Sequence, residues 1–435
     1  MFSKSFHITC RKNCLDHSSQ IEQTVEHLFR HEWGKLVSVL TKLFGPQNLQ
    51  MAEDVVQDTL VKALNTWKIN GLPQNPSAWL FTAARNKAID LLRQQKRNDA
   101  FSKNMMPLLQ SEYTLVPTVQ EFVNTNTIDD DQLRMMFVCC HPSLSSEAQV
   151  VLILKTLCGF SVAEIAKAFV SSYDTIEKRL YRARQSFRDN AVSFDLPPDA
   201  ELQSRMDNVL MAVYLLFNEG YNSTNHEDLV RNDLMQEAMR LCDLICRSNQ
   251  IIHYGAHAMM ALICFTASRN EARLDAAGNI LLLKEQDRTK WNRNLIAKGI
   301  YCLEESVASE TVNKYHLEAM IAYEHATAPG YASTNWRNIL HYYDILLQLY
   351  PSPVVELNRA VVIGELHGPA ACIEAINSIP QITSLKKYYL LPATLGEMHR
   401  QLKDYVTANK YFEEAINLTQ SASEKKLLQQ KIMGR

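Results

Sequence analysis

The chain of 435 residues is 46% hydrophobic and 21% charged, with 45 Lys and Arg against 47 Asp and Glu. This composition excludes a disordered chain and predicts a soluble protein of two or three domains. The near-neutral total hides an asymmetry, because 1–190 hold 22 basic and 19 acidic side chains whereas 191–435 hold 23 and 28. Such a small basic surplus does not indicate nucleic-acid binding by itself, so the positions of the charges matter.

No signal peptide or membrane span is predicted. The N-terminal stretch lacks the apolar region of a signal peptide. The longest apolar stretch, 251–265, is shorter than a membrane span and contains two histidines. We therefore expect a cytoplasmic protein without a membrane partner.

The ten cysteines are scattered, and most lie in apolar helical contexts, which predicts reduced core thiols. Two pairs have the i,i+4 spacing of metal ligands on a helix, namely Cys242 with Cys246 and His253 with His257. Neither pair has the Glu of a His-Glu-x-x-His motif or a second Cys-x-x-Cys. The sequence therefore predicts no metal site and no cofactor.

The N-terminal part has the apolar spacing of helices. Residues at intervals of three and four predict one helix around 36–43 and another around 55–64, separated by a Gly-Pro pair. The stretch 70–78 contains two prolines and is predicted to be a loop. The segment 78–97 then reads as one helix with a basic end.

Asp54, Gln57 and Asp58 share one face of the second predicted helix. An acidic face would repel phosphate, so it favours a protein partner. The following helix carries Arg85 and further basic residues behind Trp79. Aromatic rings beside a row of basic side chains suit single-stranded DNA, because bases stack on the rings and phosphates pair with the cations. The alternative is that Trp79 and Phe81 are core residues.

Residues 96–130 lose the periodicity and gain Asn, Thr, Ser and three consecutive Asp, which predicts a linker. A helical segment follows from 131 to about 190. The pair Pro197 and Pro198 then marks the next boundary.

Within that segment, Ser161 and Glu164 form a capping box that begins a short helix. After a turn at 170–172, a second helix has apolar residues at Ile176, Leu180, Ala183 and Phe187. Its opposite side carries Tyr173, Thr175, Lys178, Arg179 and Arg182, with Arg184 and Arg188 further along. Two short helices with a basic second member predict a helix-turn-helix that enters the DNA major groove. The alternative is an amphipathic surface helix.

The remainder reads as successive helices, and its last part has a period. The large and small residues of a tetratricopeptide helix pair occur at Leu395, Gly396, His399, Asp404, Tyr405, Ala408, Phe412 and Ala415. Ala360 lies one period earlier. This pattern predicts an array of helical repeats.

The motifs AEDVVQDTLVKALNTW, PSAWLFTAARNKAIDLLRQQKR and RLYRARQSFR, in this order, resemble regions 2 and 4 of extracytoplasmic-function (ECF) sigma factors. The C-terminal part, including 210–227, resembles the extension of a subgroup with tetratricopeptide-like repeats. The resemblance implies an all-α fold with two small helical domains and a larger helical one. The implied boundaries are region 2 over 1–95, a flexible linker over 96–130, a region 4 helix-turn-helix over 131–192, and a repeat domain over 200–435.

The resemblance also implies roles for individual residues. Asp54, Gln57 and Asp58 are expected to bind core RNA polymerase. Trp79, Arg85, Asn86 and Arg93 are expected at the minus-ten DNA, and Tyr173, Thr175, Lys178, Arg179 and Arg182 at the minus-thirty-five DNA. The implied function is that of an alternative sigma factor, not an enzyme, whose partners are core polymerase, promoter DNA, and a protein or peptide bound by a modulating C-terminal domain.

Two other hypotheses stay open at this point. One is a stand-alone helix-turn-helix regulator with a peptide-binding repeat domain. The other places an enzyme or small-ligand sensor in the C-terminal half, which however shows no phosphate loop or catalytic triad. The region 4 segment also departs from the family at Tyr173, Asp174 and Glu177, so the base preference at the minus-thirty-five element does not transfer.

Overall fold

The computed structural model describes residues 31–97, 128–169, 171–222, 230–248, 253–308 and 311–434. Within these ranges the regular structure is helical, apart from one isolated bridge between Leu274 and Ile280. The all-α prediction is therefore confirmed. The chain divides into two compact units, Met1–Leu216 and Phe217–Arg435.

The first unit contains seven helices in the described ranges and the first part of an eighth. They are α1 over 31–44, α2 Leu49–Asn70, α3 Pro76–Arg97, α4 Ile128–Cys139, α5 Ser146–Thr156, α6 Val162–Ala168, α7 Tyr173–Asp189 and α8 Asp199–Tyr221. A short 3-10 turn, Pro46–Asn48, joins α1 to α2.

Turn residues explain where α1 to α3 begin and end. Gly45 follows α1 with φ 81°, and Gly71 follows α2 with φ 78°, both in the region that favours glycine. Helix α3 begins with Pro76, because the first helical position needs no backbone donor. The loop predicted over 70–78 is therefore shorter and covers only 71–75.

The core of the first unit joins its N-terminal and C-terminal helices. Trp67, Phe137 and Phe187, from α2, α4 and α7, are completely buried. At Gly34 of α1 an added Cβ would lie 2.2 Å from the carbonyl oxygen of Leu157, just after α5. Only a residue without a side chain permits this approach, so α1 lies directly on the end of α5.

The second unit continues α8 and adds ten helices in the described ranges. They are α9 Asn232–Arg247, α10 Tyr254–Ala267, α11 Arg293–Ser306, α12 Lys314–Thr327, α13 Trp336–Leu349, α14 Pro353–His367, α15 Pro369–Asn377, α16 Leu390–Gln401, α17 Tyr405–Leu418 and α18 Ala422–Ile432. From α11 onward each helix packs on the next, and α10 packs on α9, α11 and α12.

Small residues let the last helices approach closely, as the repeat pattern predicts. At Gly396 of α16, an added Cβ would lie 2.8 Å from the Phe412 ring of α17. Ala408 and Ala415 are buried beside that ring. The paired helices match the predicted geometry, and their assignment to the tetratricopeptide class stays a prediction.

The predicted linker lies mostly outside the described residues, which end at 97 and resume at 128. The division between the two units falls within α8, after the predicted boundary at Pro197 and Pro198. The four-part domain assignment stays a prediction.

We expect Gly396→Val to lower the free energy of unfolding of the C-terminal unit by about 1–3 kcal/mol, because the added methyl groups must displace the Phe412 ring. Gly330→Val is the matched control, since an added Cβ there meets only the Ser333 hydroxyl at 3.9 Å. Calorimetric unfolding of the full chain measures both. Equal stability of the two variants would contradict the close packing of α16 and α17.

Candidate nucleic-acid and polymerase interface

The helix-turn-helix is built by two local caps. The Ser161 hydroxyl accepts from the Glu164 backbone N–H, and the Glu164 carboxylate accepts from the Ser161 N–H at 2.8 Å, which is the predicted capping box. Ser172 caps α7, because its hydroxyl accepts from the Thr175 N–H at 3.2 Å. The turn residue Val170 lies outside the described residues.

Helix α7 has one buried and one exposed face, as predicted. Ile176, Leu180, Ala183 and Phe187 are buried, and α7 packs on α5 and α6. Of the predicted minus-thirty-five residues, Tyr173, Thr175, Lys178 and Arg182 are exposed and Arg179 is half-buried. The structure therefore presents these five along one helix with cationic, hydroxyl and aromatic groups.

Two carboxylates interrupt this basic face. Asp174 and Glu177 are exposed in the first two turns of α7. Carboxylates accept from the amino group of cytosine but repel phosphates, so they affect base choice more than general affinity.

Arg184 does not follow the outward pattern read from the sequence. It donates to the Glu53 carboxylate of α2 at 2.5 Å, and its side chain is 19% exposed. The helix turn that carries Arg184 faces α2, because the 3-10 turn before α2 packs on α7. Arg184 is therefore a contact between the two halves of the first unit.

Glu53 is the most deeply buried carboxylate of α2, at 5% exposure. Burial raises the pKa of Glu53, and the charges of Arg184 and Lys155 oppose that rise. Burial likewise lowers the pKa of Lys155, whose ammonium also lies 5.7 Å from the Trp33 ring. The negative charge of Glu53 and the positive charges of Arg184 and Lys155 each offset part of the cost of removing the others from water.

The acidic face of α2 lies beside this buried pair. Asp54, Gln57 and Asp58 are all exposed on successive turns, so the structure brings these predicted residues together. Partial burial raises the pKa of Asp54. The positive charge of Arg184 opposes this rise, and the negative charge of Asp58 adds to it. The face is open to a protein that carries basic groups.

A polar groove of about 450 Å³ separates α2 from α3. Its polar lining includes amides, cations and carboxylates, namely Asp58, Lys62 and Asn65 of α2 and Asn86, Lys87 and Asp90 of α3. Lys87 pairs with Asp58 at 3.0 Å, so the groove and the acidic face adjoin. The amide side chains that line the groove can each donate and accept, as a nucleobase edge requires.

The other predicted minus-ten residues do not line this groove. Trp79 is half-buried against buried Trp67, with ring centroids 5.4 Å apart, and Phe81 is a core residue. Arg85 is half-buried, and Arg93 is exposed and pairs with Asp90 at 3.7 Å. Of the four, only Asn86 is a groove residue.

The C-terminal unit has its own cavity of about 500 Å³ between α14, α16 and α18. Aromatic side chains Tyr331, Trp336 and Tyr389 line it with polar groups. Glu397 lies in the wall of the cavity. Burial raises its pKa, but the hydrogen bonds that it accepts from Arg400 and Lys431 lower the pKa by more, to about 2. The cavity therefore combines an apolar surface with fixed charges, as in a binding site.

The predicted core thiols are confirmed where the structure describes them. The eight cysteines in the described ranges are free, and all but Cys246 are buried. Burial raises the pKa of Cys264 to about 12 and that of Cys302 to about 11. Such thiols are poor nucleophiles at neutral pH.

No group of three or more metal-ligating side chains occurs among the residues that the structure describes. Across the same ranges, none of the helices has the length and apolar character that crossing a membrane requires.

Comparison with known families assigns three segments of the chain. Sigma-70 region 2 matches 28–98, and sigma-70 region 4 matches 134–187. A family of unknown function, DUF6596, matches 205–307. The two sigma segments contain the acidic face, the groove and the helix-turn-helix.

Individual relatives agree with this assignment. The ECF RNA polymerase sigma factor SigL of Mycobacterium tuberculosis is 31% identical over 138 residues, which are 32% of this chain and 72% of SigL. This chain belongs to the ECF sigma factors. The RNA polymerase sigma factor YlaC of Bacillus subtilis is 28% identical over 169 residues, or 38% of this sigma factor and 91% of YlaC.

A third relative covers the C-terminal part as well. An uncharacterised protein of Rhizobium meliloti is 33% identical over 381 residues, 87% of this sigma factor and 88% of the relative. No solved structure is significantly similar to the chain. The sigma regions and the extension therefore occur together in a second protein.

Sequence reasoning missed Glu53 and Asn65, and it read Lys87 as part of a row of basic side chains without its partner Asp58. Glu53 had a signal, since it lies on the apolar stripe of α2 with Leu49, Val56 and Leu60, where a carboxylate requires a partner. Asn65 had no such signal, because its place in the groove depends on how α2 packs on α3.

We expect Ser172→Ala to weaken binding of the sigma factor to promoter DNA by about five- to thirtyfold. Loss of the cap costs about 1–2 kcal/mol and frays the turn that holds Tyr173 and Thr175. Ser172→Thr keeps the hydroxyl and is expected to retain near-normal binding. Fluorescence anisotropy with a labelled promoter duplex and core polymerase measures both, and equal losses in the two variants would exclude the capping role.

Proposed function

We propose that this alternative sigma factor binds core RNA polymerase through the acidic face of α2 and reads promoter DNA with two separate surfaces. The observation that carries the proposal is the adjacency, within region 2, of that acidic face and the polar groove beside α3. The helix-turn-helix of region 4 supplies the second reader. Together they direct initiation to promoters with matching minus-ten and minus-thirty-five elements.

The groove between α2 and α3 suits an unstacked base of the minus-ten element. Asn65 and Asn86 offer amides for a base edge, and Lys62 offers a cation for an adjoining phosphate, whereas Lys87 is paired with Asp58. Extrusion of a base from the stack costs a few kcal/mol. A pocket that binds one base more tightly than the others therefore makes promoter binding depend on the base at that position. Trp79, Arg85 and Arg93 then serve the neighbouring backbone and bases along α3.

Helix α7 suits the major groove at the minus-thirty-five element. Lys178, Arg179 and Arg182 supply contacts to guanine edges and phosphates, and Tyr173 and Thr175 lie at the capped end that leads into the groove. The exposed carboxylates of Asp174 and Glu177 favour cytosine amino groups opposite the first turns.

The acidic face separates this function from that of a stand-alone regulator. A protein that binds only duplex DNA has no use for Asp54, Gln57 and Asp58 beside a DNA-reading surface, since carboxylates repel phosphate. A docking surface for basic helices of the polymerase explains them. Reversal of the charge of Asp54 and Asp58 therefore distinguishes the two functions.

We expect the double variant Asp54→Lys, Asp58→Lys to weaken binding to core polymerase by at least about tenfold, because like charges meet where opposite charges met. Asp207→Lys, an exposed carboxylate of α8, makes the matched single change and is expected to bind normally. Affinity is measured with fluorescently labelled sigma factor and purified core enzyme.

Unchanged polymerase affinity in the double variant would contradict the docking role of α2. A duplex affinity that is high without polymerase and indifferent to both charge reversals would favour the regulator instead.

We further propose that the C-terminal domain modulates this activity and binds a protein or peptide. The cavity between α14, α16 and α18 supports the partner, since concave helical arrays of this kind present extended grooves. The acidic balance of 191–435 supports the modulation, because a net negative domain opposes the approach of DNA to the basic regions.

We expect a chain that ends at Asn222, after α8, to direct at least about twice as much transcription as the full chain at low salt. The difference should shrink at high salt, where screening weakens the repulsion. Run-off transcription measures both, with circular dichroism to verify that the shortened chain is folded. Lost transcription from a folded shortened chain would assign the C-terminal domain a positive role and contradict the repulsion.

A further inference from the structure

Three arginines of the C-terminal unit, Arg269, Arg273 and Arg288, lie together in the connection between α10 and α11. This connection closes on itself, because the Asn292 backbone N–H donates to the Ser268 carbonyl at 2.8 Å. A 3-10 turn between Arg269 and Arg273 contacts another that begins at Arg288. Arg273 is 9% exposed, and the other two arginines are half-buried. The three side chains form what we call the arginine cluster.

Aromatic rings and backbone carbonyls hold the three guanidinium groups in place. Those of Arg269 and Arg273 lie 5.7 and 3.6 Å from the centre of the Tyr221 ring, and Arg273 also donates to the Tyr221 carbonyl. Arg288 lies 4.6 Å from the centre of the Trp291 ring and donates through Nη1 to two carbonyls at the end of α12, both at 2.6 Å. Rings and carbonyls offer only partial negative charge, so the full positive charges of the cluster remain.

No carboxylate neutralises the arginine cluster in the part of the chain that the structure describes. The usual arrangement is seen at Arg247, which pairs with Asp243 at 2.6 Å. In addition, Nη2 of Arg288 is buried and has no hydrogen-bond partner within the described ranges. A buried cation without an opposite charge is strongly destabilising, so the cluster calls for an anion that this part of the chain does not supply.

The uncompensated charge acts on the neighbouring titratable groups. Burial lowers the pKa of Arg273 and of Arg288, and the like charge of Arg269 adds to the lowering of both. Burial and the charges of Arg269 and Arg288 lower the pKa of His325, on α12, to about 4, so its ring is neutral at neutral pH. The arginines themselves stay protonated. The cluster is therefore a place of positive potential that favours a negatively charged ligand.

We propose that the arginine cluster of Arg269, Arg273 and Arg288 binds the diphosphate group of a small molecule. The planar fork of a guanidinium group matches the geometry of phosphate oxygens. One phosphate monoester carries about 1.5–2 negative charges at neutral pH, whereas two linked phosphates carry about three, which matches three arginines. The buried and half-buried positions favour a small ligand over a nucleic acid, whose backbone follows a row of exposed cations.

Titration calorimetry of the full chain, without polymerase or promoter DNA, tests the site independently of the sigma-factor role. Pyrophosphate and inorganic phosphate are compared at one ionic strength and without divalent cations. We expect pyrophosphate to bind at least about tenfold more tightly, because it reaches more than one arginine. ADP is the third probe, and it distinguishes the sources of the diphosphate. Tighter binding of ADP than of pyrophosphate identifies a nucleotide, and the reverse identifies the free anion.

Arg269→Gln assigns the binding to the cluster. The Arg269 guanidinium has a ring contact but no hydrogen bond or ion pair within the described ranges, so its replacement removes charge at little structural cost. We expect at least about a tenfold loss of pyrophosphate affinity. Without ligand we expect an unchanged or higher melting temperature, because the repulsion within the cluster falls. Arg247→Gln, at a paired and exposed arginine of the same unit, is the matched control and is expected to bind normally.

Three results would overturn the site: no binding of pyrophosphate, equal affinities for pyrophosphate and inorganic phosphate, or an unchanged pyrophosphate affinity in Arg269→Gln. The melting temperature separates a ligand site from a structural role of the same side chain. A binding site predicts that pyrophosphate raises the melting temperature of the unchanged chain and raises that of Arg269→Gln less. A lower melting temperature of Arg269→Gln without ligand, together with normal affinity, would show that the arginine only supports the fold.

Discussion

The ion pair between Glu53 and Arg184 constrains the whole N-terminal unit, because it fixes a helix of region 2 to the DNA-reading helix of region 4. Each side chain offsets part of the other's loss of hydration inside the interface, and Lys155 adds a second positive charge near Glu53. The apolar contacts around it, such as buried Phe137 and Phe187, would tolerate small shifts. A buried charge is strongly destabilising unless an opposite charge lies beside it. The ion pair therefore specifies which surfaces of the two helices meet.

The surfaces assigned to partners remain outside this interface. The acidic face of α2, the groove between α2 and α3, and the outward side of α7 are all accessible in this packing of the first unit.

Local signals made the helix-turn-helix predictable. A capping box at Ser161 and Glu164 and four apolar residues at helical spacing define two helices without reference to the rest of the chain. The ion pair joins residues that are 131 positions apart, and no local pattern encodes such a partner. For the same reason the sequence predicted Arg184 to be an outward-facing cation of the helix. It also gave no signal for Asn65, whose role depends on the packing of α2 on α3.

The most direct test of the central claim is run-off transcription with purified sigma factor, core RNA polymerase and a genomic DNA library, followed by mapping of the start sites. The account predicts discrete starts that depend on this protein and share one sequence about 10 and another about 35 base pairs upstream, as the two reading surfaces require. Binding of duplex DNA by the protein alone, with no polymerase-dependent start site, would contradict it.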